Sequence, residues 1–222
     1  MRVLIIKMSS MGDIIHTLPA LTDATKAVSN IQFDWVVEEG YVHLLQPLLS
    51  HNGFRGIDRI IPFGLRRWKK SLFSMQSWCE YFAFKKNLQS SSYDIIIETQ
   101  GLLKSALVCA IAKKNSGAVV AGLANATEYS GYEPAAKIFY SQLVQVPVQC
   151  HAVDRSRYVA CSALDWPLIS RPNNLHFYPE HYVETIASRQ LPELNKPYIL
   201  FFHSTARAAK RWSNSSWVAL GQ

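Results

Sequence analysis

Short runs of β-branched or aromatic residues alternate along the chain with longer stretches whose apolar positions recur at helical spacing. The runs at 3–6, 33–37, 60–63 and 95–97 are continuous rather than alternating, as strands covered on both faces require. Between them the spacing predicts helices over 13–28, 42–49, 71–89 and 102–114, followed by a further strand over 118–123. Parallel neighbours in a sheet need a crossover, so the repeated strand-then-helix order predicts an α/β domain with a parallel sheet between helices.

The texture changes at 166–197. Five of the ten prolines fall there (Pro167, Pro172, Pro179, Pro192 and Pro197), around a short polar helical pattern at 180–189. Such a stretch reads as a connection between domains. After it, YILFF at 198–202 predicts the first strand of a second α/β unit, HSTARAAKRW at 203–212 its loop, and Ser213 the start of a helix whose pattern still runs at Gln222. The expected division is a sheet domain at 1–165, a linker at 166–197 and the start of a second domain at 198–222.

Composition narrows the partners. Of 222 residues, 49% are hydrophobic and 18% charged, enough to bury a core and unlike a disordered chain. The formal charge is +7, which suits an anionic partner: nucleic acid, phospholipid or a phosphorylated small molecule. A soluble basic protein with no such partner has the same charge. Cys79, Cys109, Cys150 and Cys161 are scattered, without a CxxC pair or histidines at ligand spacing, so free thiols in a reducing compartment are expected, with neither disulfides nor a metal site. No run reaches the roughly 18 apolar residues that cross a bilayer, and MRVLIIKM lacks the length and cleavage site of a signal peptide. The expectation is a cytosolic protein, with adsorption to a membrane surface left open.

Five stretches carry candidate chemistry. In SSMGDIIH at 9–16, a turn follows the first strand, and ligands of open parallel sheets sit beyond the carboxyl ends of the strands. Gly12 lets backbone approach a ligand, and Asp13 stands where the helix dipole favours an ionised carboxylate. Such a group can take a proton from an attacking hydroxyl; on spacing alone it is equally a helix cap. With Gly12 the only glycine, the turn is no dinucleotide fingerprint. The stretch 65–86 holds Arg66, Arg67, Lys69, Lys70, Lys85 and Lys86 against the single acid Glu80, with six aromatics interleaved. That pattern suits phosphate clamps, an anionic headgroup region, or a solvated face over core aromatics, and contains no groove-reading nucleic-acid motif. ETQGLLKSA at 98–106 offers Glu98 or Gln100 to the crevice and Lys104 to an anion near the helix start, with a packed βα-turn the simpler reading. HAVDRSR at 151–157 sets Asp154, Arg155 and Arg157 on one helix turn, where local charge pairing is the simpler account. HSTARAAKRW is a hydroxyl-rich cradle with Lys210 near the next helix, without a Walker motif. His16 looks incidental, facing along the first helix.

Taken in order, KMSSMGDIIHTLPAL, FDWVVEEGY, LRRWKKSLF, ETQGLLKSA, HAVDRSR and HSTARAAKRW resemble the type I lipopolysaccharide heptosyltransferases of Gram-negative bacteria, in glycosyltransferase family 9. The resemblance covers essentially all 222 residues, and SSMGD and RRWKK are specific to it. It implies a GT-B architecture of two Rossmann-like domains. The implied reaction moves L-glycero-D-manno-heptose from ADP-heptose to the Kdo of Kdo2-lipid A in lipopolysaccharide core synthesis, inverting the anomeric centre without metal or other cofactor. The implied place is the cytoplasmic face of the inner membrane, as a peripheral protein on its anionic surface, with no nucleic acid involved. Asp13 then matches the general base. Ser10, Gly12, Arg66, Arg67, Lys70, Arg155 and Arg157 match the acceptor side, and Thr205, Ala206 and Lys210 the donor side. Ala206 replaces a hydroxyl of the family motif, Ala208 and Ala209 replace its acidic pair, and Tyr132 stands for an arginine before EPAA. Members of the family continue for most of another domain, so the resemblance also implies truncation at the carboxyl end. The alternative reading is a glycolipid-binding module without transfer.

Overall fold

Val3 and Ile5 of β1 (Arg2–Ile6) point into one apolar layer and Leu4 and Ile6 into another, which is why the run is continuous. The structure is a computed structural model and describes residues 1–50, 56–71, 74–128, 130–167, 199 and 211–222. β1 pairs in parallel with β2 (Gln32–Glu38) on one side and β4 (Tyr93–Glu98) on the other. β3 (Ile57–Phe63), β5 (Lys114–Leu123) and β6 (Gln142–Val144) complete a six-stranded sheet in the order β3-β2-β1-β4-β5-β6, every pairing parallel. The chain winds outward from β1 to β3, returns to β4 beside β1, and winds outward again. The point of return opens a crevice at the carboxyl edge between β1 and β4.

Helices cover both faces. On one, α1 (Met11–Ala27) contributes Ile14, Leu18, Leu21 and Ala24, and α6 (Ala152–Leu164) contributes Val159, Ala160 and Ala163. The two helices meet through a hydrogen bond between Thr17 Oγ1 and Ser156 Oγ at 3.0 Å. On the other, α3 (Leu65–Trp68), α4 (Met75–Leu88) and α5 (Leu103–Ile111) supply Trp68, Phe84, Leu88, Ala106 and Val108. α2 (Val42–Leu45) adds Leu45 to the first layer. Near the amino edge of the sheet the buried Asp34 gathers Arg2, Arg59 and the Tyr93 hydroxyl, the latter two at 2.5 and 2.9 Å. That edge is closed by its own charges, and the carboxyl edge is left for chemistry.

The predicted helices shift where local chemistry overrides spacing. The helix expected over 71–89 begins at Met75 behind Ser74, and a separate short α3 precedes it. The stretch expected over 42–49 splits into α2 and a 3₁₀ turn, Gln46–Leu48, with Pro47 near its start. The helix expected to reach 114 stops at Ile111, because Lys114 already pairs with Tyr93 in the sheet. A 3₁₀ helix, Pro134–Phe139, and β6 lie where the sequence predicted no element.

The chain falls into two compact units, Met1–Tyr182 and Val183–Gln222. In the second, α7 (Asn214–Gly221) starts where expected, with Ser213 Oγ accepting the Ser216 N–H at 3.0 Å and the Trp212 and Trp217 rings edge to face at 5.1 Å. The strand expected at 198–202 and the polar helix expected at 180–189 lie outside the described residues, apart from Ile199. No described helix is long and apolar enough to cross a membrane, and no described cluster of histidine, cysteine or carboxylate side chains fits a metal ion. None of the four cysteines forms a disulfide.

Candidate active site at the carboxyl edge of the sheet

Where β1 ends, the chain turns through Ser9 and Ser10 and enters α1, whose first turn carries Asp13. The Asp13 carboxylate reaches back to its own helix start. Its Oδ2 accepts from the Ser10 N–H at 3.0 Å and from the Ser10 hydroxyl at 2.8 Å. Its Oδ1 faces Arg155 Nη2 at 3.6 Å, and the side chain keeps 35% of its surface exposed. A Cβ on Gly12 would meet nothing within 4 Å, so the space over this position is open.

Two cations frame Asp13 from below and beside. Lys7, at the end of the β1 run, is 2% exposed and donates to the Thr99 carbonyl at 2.9 Å. Burial pulls the Lys7 ammonium down to about 8, against the opposing pull of Asp13. Arg155, on the first turns of α6, is buried and donates through Nη1 to Thr127 Oγ1 at 3.0 Å, while its Nε has no hydrogen-bond partner among the described residues. Partial burial resists ionisation of Asp13, but the charge of Lys7, the two bonds from Ser10 and the charge of Arg155 together hold its carboxyl below the usual range. Asp13 is an ionised, acceptor-only group at the mouth of the sheet.

The turn after β4 closes the floor. Gln100 Oε1 accepts from the backbone N–H groups of Met8 and Ser9 at 3.2 and 3.3 Å, stitching the β4 turn to the β1 turn. Glu98, offered by the sequence as a crevice residue, instead lies fully inside. It accepts from the N–H groups of Gln100 and Gly101 and from the Tyr140 hydroxyl at 2.5 Å. Burial raises its pKa despite these donors. Gly101 sits at φ +71°, a conformation that suits glycine and aims its N–H at that carboxylate.

The basic residues divide. Arg66 and Arg67 follow β3 on the same edge of the sheet, but acids already hold them: Arg66 Nε meets Glu38 Oε2 at 2.6 Å, and Arg67 meets Glu39 at 2.9 Å and Glu80. Arg66 also covers the Tyr41 ring at 5.7 Å and lines a cavity of about 310 Å³ with Glu38, Tyr41 and Phe63. Lys70 is exposed. Arg157, which the resemblance sets on the acceptor side, lies inside the fold. Its side chain is 1% exposed and ties Asp23 at 2.6 Å and Asp154 at 3.3 Å, because its place in α6 turns it into the packing of α1 on α6. Lys104 lines an apolar cavity with Leu65, Trp68 and Tyr81. Thr205, Ala206 and Lys210 lie outside the described residues.

Sequence reasoning passed over Lys7, Thr127 and His16. A lysine closing an apolar strand and a histidine three positions after Asp13, on the same helix face, were the available signals. His16 lies 6.0 Å from the His151 ring, and burial lowers its pKa against the pull of Asp13. Nothing local in the sequence marks Thr127, which reaches the site only through Arg155.

Residues 81–222 match Glycosyltransferase family 9 (heptosyltransferase). Over 224 residues the whole chain is 39% identical to lipopolysaccharide heptosyltransferase 1 of Pseudomonas aeruginosa, covering 57% of that protein. It is 37% identical to lipopolysaccharide heptosyltransferase 1 of Escherichia coli K12 over 227 residues, covering 99% of this chain and 63% of the relative. Among solved structures, E. coli heptosyltransferase WaaC with ADP-2-deoxy-2-fluoro heptose superposes with a TM-score of 0.79 at 36% identity, covering 99% of this chain and 64% of that one. The chain thus spans less than two thirds of the length of these relatives.

Proposed function

The chain belongs to glycosyltransferase family 9, the heptosyltransferases, and from that premise we propose that it moves L-glycero-D-manno-heptose from ADP-heptose to a Kdo hydroxyl of Kdo2-lipid A. The observation that carries this reading is Asp13: an ionised carboxylate in the crevice between β1 and β4, held by Ser10, Lys7 and Arg155. Its free lone pairs accept the proton of the Kdo hydroxyl while that oxygen attacks the anomeric carbon on the face opposite the diphosphate. One displacement inverts the centre. A base so placed is worth about 10²- to 10⁴-fold in rate.

Acceptor phosphates and carboxylates are the anions that Arg66, Arg67 and Lys70 suit. To bind there they exchange with Glu38 and Glu39, which hold the two arginines in this structure. Thr205, the backbone at Ala206 and Lys210 are the donor-side candidates, with Lys210 balancing charge on the departing diphosphate. The work is done at the cytoplasmic face of the bacterial inner membrane, where the acceptor's lipid resides. Binding the glycolipid without transfer is not favoured, since the relatives carry the name of heptosyltransferases.

The test is direct. The protein is incubated with ADP-heptose and Kdo2-lipid A, and the lipid is weighed by mass spectrometry. A lipid heavier by one heptose is expected; lipid that is bound and left unchanged overturns the proposal.

A further inference from the structure

α4 buries little of itself. Of its 14 residues only Ser77, Phe84 and Leu88 are buried, while Met75, Trp78 and Phe82 are 78%, 53% and 58% exposed. These three stand at i, i+3 and i+7, one stripe along the helix. The Trp78 ring lies 6.3 Å from both Tyr81 and Phe82, so the aromatics form one surface. Beside it, Leu103 and Leu107 of α5 are also exposed, one turn apart. Two apolar cavities, about 320 and 280 Å³, open along this face and share Leu65, Trp68 and Tyr81 in their walls.

Lysines dominate the charges around this apolar surface, and the exposed acid beside it, Glu133, accepts from the Leu103 N–H at 2.6 Å. Lys69, Lys70 and Lys86 are exposed and Lys85 and Lys104 half-buried. The single acid of α4, Glu80, is held by Arg67 and by the Trp68 indole N–H. A protein interface of this apolar content is normally depleted in lysine. A helix with Trp and Phe on one side and lysines at its margins is instead the composition that lies in the interface of an anionic bilayer, aromatics among the headgroups and ammonium groups at the phosphates. α4 has 14 residues and lies on such a surface rather than crossing it.

We propose that the α4–α5 face seats this protein on an anionic bilayer, with Trp78 and Phe82 entering the headgroup region and Lys85 and Lys86 contacting lipid phosphates. The inference rests on the reading that the protein works at a membrane surface. It does not rest on the transfer chemistry, and it assigns the attachment to residues apart from Asp13 and the Arg66–Arg67 pair.

The experiment uses the protein with sucrose-loaded vesicles of phosphatidylcholine, with or without phosphatidylglycerol, and no Kdo lipid, so that loss of transfer activity leaves the result unaffected. The protein is expected to sediment with the anionic vesicles and to blue-shift its tryptophan emission. Trp78→Ser/Phe82→Ser and Lys85→Glu/Lys86→Glu are each expected to weaken that binding by about tenfold or more, with thermal melting unchanged because all four side chains lie outside the core. Added salt is expected to weaken wild-type binding. Equal binding to neutral and anionic vesicles overturns the proposal. So does wild-type binding by the Trp78/Phe82 variant. A wild-type dimer that the same variant dissolves into monomers also overturns it, since the face would then belong to a second copy of the chain.

Discussion

At the scale of single residues, burial decides which charges are chemical and which are structural. Lys7 is drawn down to about 8 by burial, with Asp13 and Glu98 pulling the other way. Between that value and the ordinary 10.5 the unfolded chain binds more protons than the folded one, so this site adds stability as pH rises through the window. The full effect is about 3 kcal/mol. In urea titrations at two pH values across that window, wild type should gain stability relative to Lys7→Met at the higher pH. A constant difference would contradict the buried charge. Arg157 belongs to the other group. Arg157→Met strands the Asp23 carboxylate in the α1–α6 interface and should cost about 3 to 5 kcal/mol in the same titration. Sequence spacing set Arg155 and Arg157 side by side as equals. Two positions on a helix differ by about 200° of rotation, and that angle alone sends one toward Asp13 and the other into the packing.

At the scale of elements, the pattern in the sequence located five of the six strands, because strands covered on both faces are uniformly apolar. It missed β6, three residues long, and saw only the first turn of α6. α6 buries Val153, Val159, Ala160, Cys161 and Ala163, but Arg155, Ser156 and Arg157 are buried between them and interrupt the apolar pattern. Glu98 follows the packed-turn reading of its stretch, and Gln100 takes the crevice side. An acid at a strand end looks like crevice chemistry, whereas here two backbone N–H groups and Tyr140 take it inward. The turn that does so depends on Gly101. Gly101→Ala puts a Cβ at 3.2 Å from Leu123 Cδ1 at a positive φ, and should destabilise the domain by about 1 to 2 kcal/mol by thermal melting. Ser105→Ala removes a hydroxyl that donates to the Leu102 carbonyl at 2.8 Å and also lies against the Glu98 carboxylate, and should cost about 1 kcal/mol.

At the scale of the molecule, one winding of the chain explains where everything sits. The sheet grows outward from β1 twice, so the ends of β1 and β4 part at the carboxyl edge, and Asp13 and Gln100 follow those two strands. The amino edge is closed by Asp34 with Arg2 and Arg59. The helical layer with α1 and α6 positions the carboxylate, and the opposite layer presents the aromatic face of α4. The central claim is that Asp13 takes the acceptor's proton. Asp13→Asn keeps the size of the side chain and removes its basicity. Measured for heptose transfer to Kdo2-lipid A, the variant should lose about 10²- to 10⁴-fold in kcat with acceptor affinity retained. Undiminished kcat in Asp13→Asn would contradict the account.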